Sequence, residues 1–151
     1  MADKKLQCYV IPSQPLPLLL PIECVAEIVS KPDIVARKDA PVNWMRGQVN
    51  WKNQLVSVMS YAALHDAKLD ESKKRKPHLV VLNPIPDAVR KTYTSLICYG
   101  DIQELTIDRT AIYQEMPDKL DRRYVEAVVG IGDDSFVIPK LDALGVAFSY
   151  F

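Results

Sequence analysis

The stretch GQVNWKNQLVSVM, residues 47 to 59, constrains the fold more than any other part of the chain. GQVNW and QLVSVM each alternate apolar and polar residues, the period of a strand with one buried face. Only Lys52 and Asn53 separate them. A two-residue connection between strands demands positive φ at its centre, and Asn tolerates that conformation better than most residues. The spacing therefore predicts a tight antiparallel hairpin. Ser60 follows at the position of a helix N-cap ahead of YAALHDA, where its side-chain oxygen can satisfy a free backbone N–H. The unit reads as strand, tight turn, strand and short capped helix.

The same grammar returns near the C-terminus. AVVGIGDDSFVIPKLDALG, residues 127 to 145, carries a glycine, a strand, a Gly-Asp-Asp turn, a second strand and Asp142 as a cap for ALG. Gly130 is expected to stand to this hairpin as Gly47 stands to the first. Upstream, Val25-Ala26-Glu27-Ile28 is echoed by Ile102-Gln103-Glu104-Leu105. Two copies of so long a unit imply two similar β-rich lobes rather than a solenoid. Closure of each sheet into a small antiparallel barrel removes the exposed edges that invite aggregation.

Other segments fill in the outline. LQCYVIP, residues 6 to 12, reads as a first strand, and the prolines of SQPLP mark a loop. LLLPIECVAEIV reads as one extended region in which Ile22, Cys24, Ala26 and Ile28 alternate with Glu23, Val25, Glu27 and Val29. SKPDIVARKDAP reads as a charged turn region, KLDESKKRKP as a solvated linker, and HLVVLNP as another apolar strand.

At 151 residues the chain forms one domain, or two very small units sharing a core. That length buries roughly two thirds of the unfolded surface, so no disulfide framework is required. Cys8, Cys24 and Cys98 are widely spaced, which favours buried free thiols over zinc ligands. The 19 basic residues are balanced by 19 acidic ones, so no global field attracts polyanions. No run approaches the ~18 uninterrupted apolar residues of a membrane span, and the prolines near the N-terminus break up any signal-like segment. A cytoplasmic protein without direct membrane insertion is expected.

Together, Val25-x-Glu27-Ile28, then APVNWMRGQVNWKNQLVSVMSYAAL, then GDIQEL, then VVGIGDDSFVIPKLDAL resemble the CheW-type chemosensory coupling proteins in order and spacing, over most of the chain. The resemblance implies a mainly β fold of two five-stranded SH3-like barrels packed together, with short capped helices. The lobes are expected at about 18–84 and 85–151, with the strand at 6–12 pairing to either. It also implies a non-catalytic scaffold, without cofactors, that couples the cytoplasmic tip of a chemoreceptor to the regulatory domain of a CheA-type histidine kinase. Carried over residue by residue, the implied partner-binding positions are Val25, Glu27, Gly47, Lys52 and Asn53. The family's Arg-Gly hairpin tip is Lys52-Asn53 here, which keeps the charge and loses the planar fork of arginine. Ser57 and Ser60 replace the family's Pro and Asp, and Gly100 stands where an Asp is common. These departures suggest a variant coupling protein, of the kind serving a pilus-motility (twitching) array.

Alternative chemistry has less support. His65 and His78 have no cysteine or carboxylate at metal-ligand spacing. Asp133-Asp134 belongs to a solvated turn, with no apolar wall to separate the two acidities. KKRK at 73 to 76 follows Asp70 and Glu71 and has no aromatics interleaved, so it reads as a solvated loop. The five glycines form no phosphate cradle. Trp44 and Trp51 are expected to pack within or between the lobes, and Ile102 and Leu105 to lie in the core. The competing class is a small β-barrel nucleic-acid-binding module, whose groove would have to use Lys52, Trp51, Arg46 and Trp44.

Overall fold

The computed structural model describes residues 5–36, 42–65, 76–84, 93–108, 111–141 and 143–144. Its strands are β1 (Leu6–Ile11), β2 (Leu18–Pro21), β3 (Val25–Ser30), β4 (Ile34–Ala36), β5 (Met45–Trp51), β6 (Gln54–Met59), β7 (Pro77–Leu82), β8 (Thr94–Tyr99), β9 (Gln103–Ile107), β10 (Ile112–Gln114), β11 (Val125–Ile131) and β12 (Asp134–Pro139), with the one-turn helix α1 (Tyr61–Leu64) after β6. The expected hairpin forms between β5 and β6. Lys52 and Asn53 are its two central residues, at φ 49° and 63°, as a two-residue turn with positive φ at both positions requires. Ser60 caps α1 by accepting from the Ala63 N–H. The second expected cap, Asp142, lies outside the described residues, as does most of the charged linker at 68 to 77.

The strands form two six-stranded sheets, ordered β3-β7-β8-β6-β5-β4 and β9-β1-β2-β12-β11-β10. In each, the fourth strand of the order joins the third in parallel and every other neighbouring pair is antiparallel. Strand for strand, β3 to β8 therefore match β9 to β12 followed by β1 and β2. The duplication expected from the sequence is real, but it is circularly permuted. Strands β3 to β8 form a central lobe; both ends of the chain meet in a terminal lobe.

The sheets hold six strands where five were expected, and they do not divide at 84/85. Strand β2 pairs with β1 and β12 in the terminal lobe, and β8 pairs with β7 and β6 in the central lobe. The N-terminal strand pairs within the terminal lobe alone, with β2 and β9. The cause lies at Ile22–Cys24, where a 3-10 turn interrupts the region that read as one continuous strand. Pro21, just before that turn, lacks the N–H to continue a ladder. The chain thus leaves one sheet at Pro21 and enters the other at Val25. A further difference is β4, a short edge strand inside the segment expected to be turn.

Consecutive apolar residues explain how the sheets pack. In β7, Leu79 and Val81 point into a cluster with Val49, Trp51, Val56, Val58 and Ile97, all of the central lobe. Val80 and Leu82 face the opposite way, into a larger cluster that also holds Ile11, Leu18, Leu20, Val128 and Val137 of the terminal lobe. Both faces of the strand are buried, so it reads as a continuous apolar run rather than an alternation. Ala26 and Val29 of one edge strand and Ile34 of the other also meet the central-lobe cluster, so that sheet is curled around its own core. The terminal lobe has a smaller inner cluster of Cys8, Leu19, Val129 and Phe136.

Helix α1 sits in the interface between the lobes with all four residues buried. The Tyr61 hydroxyl donates to the Tyr124 carbonyl, and the His65 Nδ1 accepts from the Asp121 N–H at 2.7 Å. Trp44 joins the inter-lobe cluster, as expected of a packing tryptophan.

Candidate functional site

The expected partner-binding residues lie on β3, β5 and the β5–β6 turn, all in the central lobe. Glu27 is exposed, and one of its carboxylate oxygens accepts from the Trp51 indole N–H at 2.5 Å. Trp51 ends β5 and is 8% exposed. Its ring packs against Tyr93 at a centroid distance of 4.9 Å, and the Lys52 Nζ lies 4.9 Å from the ring centroid. An acidic group and a basic group are thus fixed to one buried aromatic platform. The positive φ of Lys52 places the lysine over the ring of its own neighbour, while Asn53 completes the exposed tip.

Val25 and Gly47 are not part of this cluster. A bulge between Val25 and Glu27 shifts the register of β3 against β7, so the Val-x-Glu spacing does not put both side chains on one face. Val25 is half-buried against the inter-lobe cluster. Gly47 is buried where β5 passes β4, and a Cβ there would come within 2.2 Å of the Val35 carbonyl oxygen. Its φ is not left-handed, so the requirement for glycine is one of space between two backbones.

Register across the sheets identifies the counterpart of each residue in the terminal lobe. The two hairpins match at their tips, Lys52-Asn53 against Gly132-Asp133, and at their bulges, Met45/Gly47 against Val125/Ala127. The counterpart of Gly47 is therefore Ala127, and Gly130 does not repeat it. A Cβ on Gly130 would meet the flexible Gln114 side chain. Trp51 corresponds to Ile131. Glu27 lies opposite Val81 and Gln103 opposite Val10, positions that match through β7 and β1, so Gln103 rather than Glu104 repeats Glu27. The sequence echo of the two Glu-bearing motifs is out of step by one residue.

The remaining polar groups have structural settings. Burial pushes the Cys98 thiol up to about 12 and the Cys8 thiol up to about 11, the latter with help from Glu23, which leaves both as unreactive neutral thiols at neutral pH. Among the described residues no group of three or more His, Cys, Asp or Glu side chains is placed to hold a metal ion. Burial holds the His65 imidazole below its ordinary value, against the opposing pull of the Asp121 carboxylate. The Asp121 carboxyl is itself held low by its paired hydrogen bonds from Arg123. No described helix is long and apolar enough to cross a membrane.

Residues 9–146 match the model of the CheW-like domain. The chain belongs to the CheW-like family. Its fold is similar to the crystal structure of the scaffolding protein TtCheW from Thermoanaerobacter tengcongensis, with a TM-score of 0.74 over 93% of this chain and 92% of that one, at 19% sequence identity. A comparison with curated protein sequences gives no match. The mainly β, two-lobed architecture expected from the resemblance is thus the fold of this chain.

Tyr93, the His65–Asp121 contact and the Tyr61–Tyr124 contact escape the sequence reading. Each partner is distant in sequence, so no spacing rule announces it.

Proposed function

We propose that this protein is a cytoplasmic, non-catalytic adaptor that couples the cytoplasmic tip of a chemoreceptor to the regulatory domain of a CheA-type histidine kinase. Its kinase contact lies at the central-lobe hairpin and the neighbouring part of β3. The observation that carries this reading is the attachment of Glu27 and Lys52 to the buried Trp51. That arrangement presents a preformed pair of opposite charges, one on β3 and one on the hairpin turn, with little side-chain freedom left to lose on binding. Asn53 completes the contact at the tip, Val25 supports β3 from the inter-lobe side, and Gly47 sets how closely β5 approaches β4.

Membership of a family of scaffold proteins supports the non-catalytic role. Nucleic-acid binding is disfavoured because Trp44 and Trp51, the stacking platforms it needs, are only 9% and 8% exposed. The departures at Lys52-Asn53, Ser57, Ser60 and Gly100 support a variant array with pilus-based output. Deletion of the gene is then expected to abolish twitching and spare swimming.

Lys52→Glu tests the contact. The residue is exposed at a turn, so its replacement costs no more than about 1 kcal/mol, mostly the lost contact with the Trp51 ring. A reversed charge at an interface costs several times as much. The variant is expected to fold with a Tm within a few degrees of the parent and to lose co-purification with the kinase. Normal kinase binding by a folded Lys52→Glu protein removes this hairpin from the interface.

A further inference from the structure

The two lobes have matching frames and unlike mouths. In the central lobe, the space between the hairpin tip and the edge strand β3 is filled by Trp51, held by Glu27 and backed by Tyr93. At the matching place in the terminal lobe, Ile131 stands for Trp51 and Gln103 for Glu27. A groove of about 620 Å³ opens there. Its apolar wall comes from Val10, Leu105, Ile131 and Phe136, its rim carries Asp133 and Asp134 of the hairpin, and Glu104 lines it from β9. No lysine or arginine lines it among the described residues. The three acidic residues are exposed, whereas Phe136 at the base is buried.

We propose that this groove is a docking site for a partner segment that inserts one large aromatic side chain, flanked by lysine or arginine. Two observations select that occupant. The fold itself fills the equivalent volume of the central lobe with a tryptophan, which sets the size and character of the missing group. The rim carries only negative charge among the described residues, so basic flanks are favoured and acidic ones are repelled. An aromatic anchor in a pocket with charged groups around it is the usual arrangement of an interface hot spot. The groove lies on the lobe opposite the proposed kinase contact, so the outcome of one test does not decide the other.

The experiment uses the full chain and a short fluorescent peptide with one tryptophan between lysines, followed by anisotropy at low salt. Saturable binding is expected. Replacing the peptide's tryptophan by alanine, or its lysines by glutamate, weakens binding by about tenfold or more. In the protein, Ile131→Trp copies the central lobe and closes the groove, so it abolishes binding while leaving the Tm unchanged or higher. Asp133→Lys with Asp134→Lys abolishes binding by charge and needs no change in the apolar wall, which keeps the test decisive if the tryptophan variant folds poorly. Equal binding of the alanine peptide, unchanged binding by the Asp133→Lys, Asp134→Lys protein, or no binding by the parent overturns the proposal. So does self-association of the parent, in sedimentation, that Ile131→Trp removes without any peptide binding, because a second copy then occupies the groove.

Discussion

The central and terminal lobes share a strand order, a bulged hairpin and a parallel join, yet one is sealed at its mouth and the other is open. In the central lobe Trp51 closes the barrel and all six strands contribute to one inner cluster. In the terminal lobe that cluster is smaller and the edge strand β10 turns outward, with Ile112 68% and Tyr113 79% exposed. A shared frame therefore does not imply shared surface chemistry. One position at the end of a strand, tryptophan or isoleucine, decides whether a mouth becomes a packed platform or a groove.

The largest expected difference lies at that position. Trp51→Ala removes a buried aromatic ring and leaves Glu27 and Tyr93 without their partner, at a cost of about 3–5 kcal/mol. Ile131→Ala empties space that is already partly open and costs under about 2 kcal/mol. Urea unfolding of the two variants measures the gap, and equal losses break the comparison.

A smaller difference separates the two glycines. Gly47→Ala presses a methyl group against the Val35 backbone and is expected to cost about 1–3 kcal/mol, since neither strand yields without disturbing its ladder. Gly130→Ala first meets the end of the Gln114 side chain, which can turn away at the cost of its exposed hydrogen bond from Ser135, and is expected to stay within about 1 kcal/mol. Thermal unfolding of both variants tests whether the tight crossing belongs to the central lobe alone.

The smallest effect concerns the seam between the lobes. The His65 Nδ1 must be unprotonated to accept from the Asp121 N–H, and burial holds the imidazole below its ordinary value. A folded value lower than the unfolded one means that the fold favours the neutral ring. The contribution is then complete above the ordinary imidazole range and is lost as the pH falls through the lowered value. His65→Asn keeps an acceptor in place of Nδ1 and cannot titrate. Its stability is expected to vary less with pH than that of the parent across the mildly acidic range, and parallel pH profiles would remove His65 from the seam.

Much of this fold was legible in the chain. Alternation in GQVNW and QLVSVM, with Lys52-Asn53 between them, specified a hairpin because the period of a strand and the φ demands of a two-residue turn are local properties. Ser60 as an N-cap is local for the same reason. The repeated hairpin unit revealed duplication, and the joint order of the motifs revealed the family. Of the candidate site, Glu27, Lys52 and Asn53 were named from the resemblance.

What brings Glu27 to the tryptophan beside Lys52 depends on the tertiary structure. Sheet membership did too, because a strand such as β2 or β8 has apolar residues on both faces and can join either lobe equally well by pattern. The circular permutation follows from which strands meet, a matter of long-range pairing that no local period encodes. The same holds for register: a bulge between Val25 and Glu27 sends two residues of one motif to different surroundings, and a one-residue offset makes Gln103 the counterpart of Glu27. The sequence alone determined the elements, the repeat and the family. Only the packing of the two lobes decided that Trp51 fills one mouth while Ile131 leaves the other open, since the volume a side chain must fill is set by residues far from it in the chain.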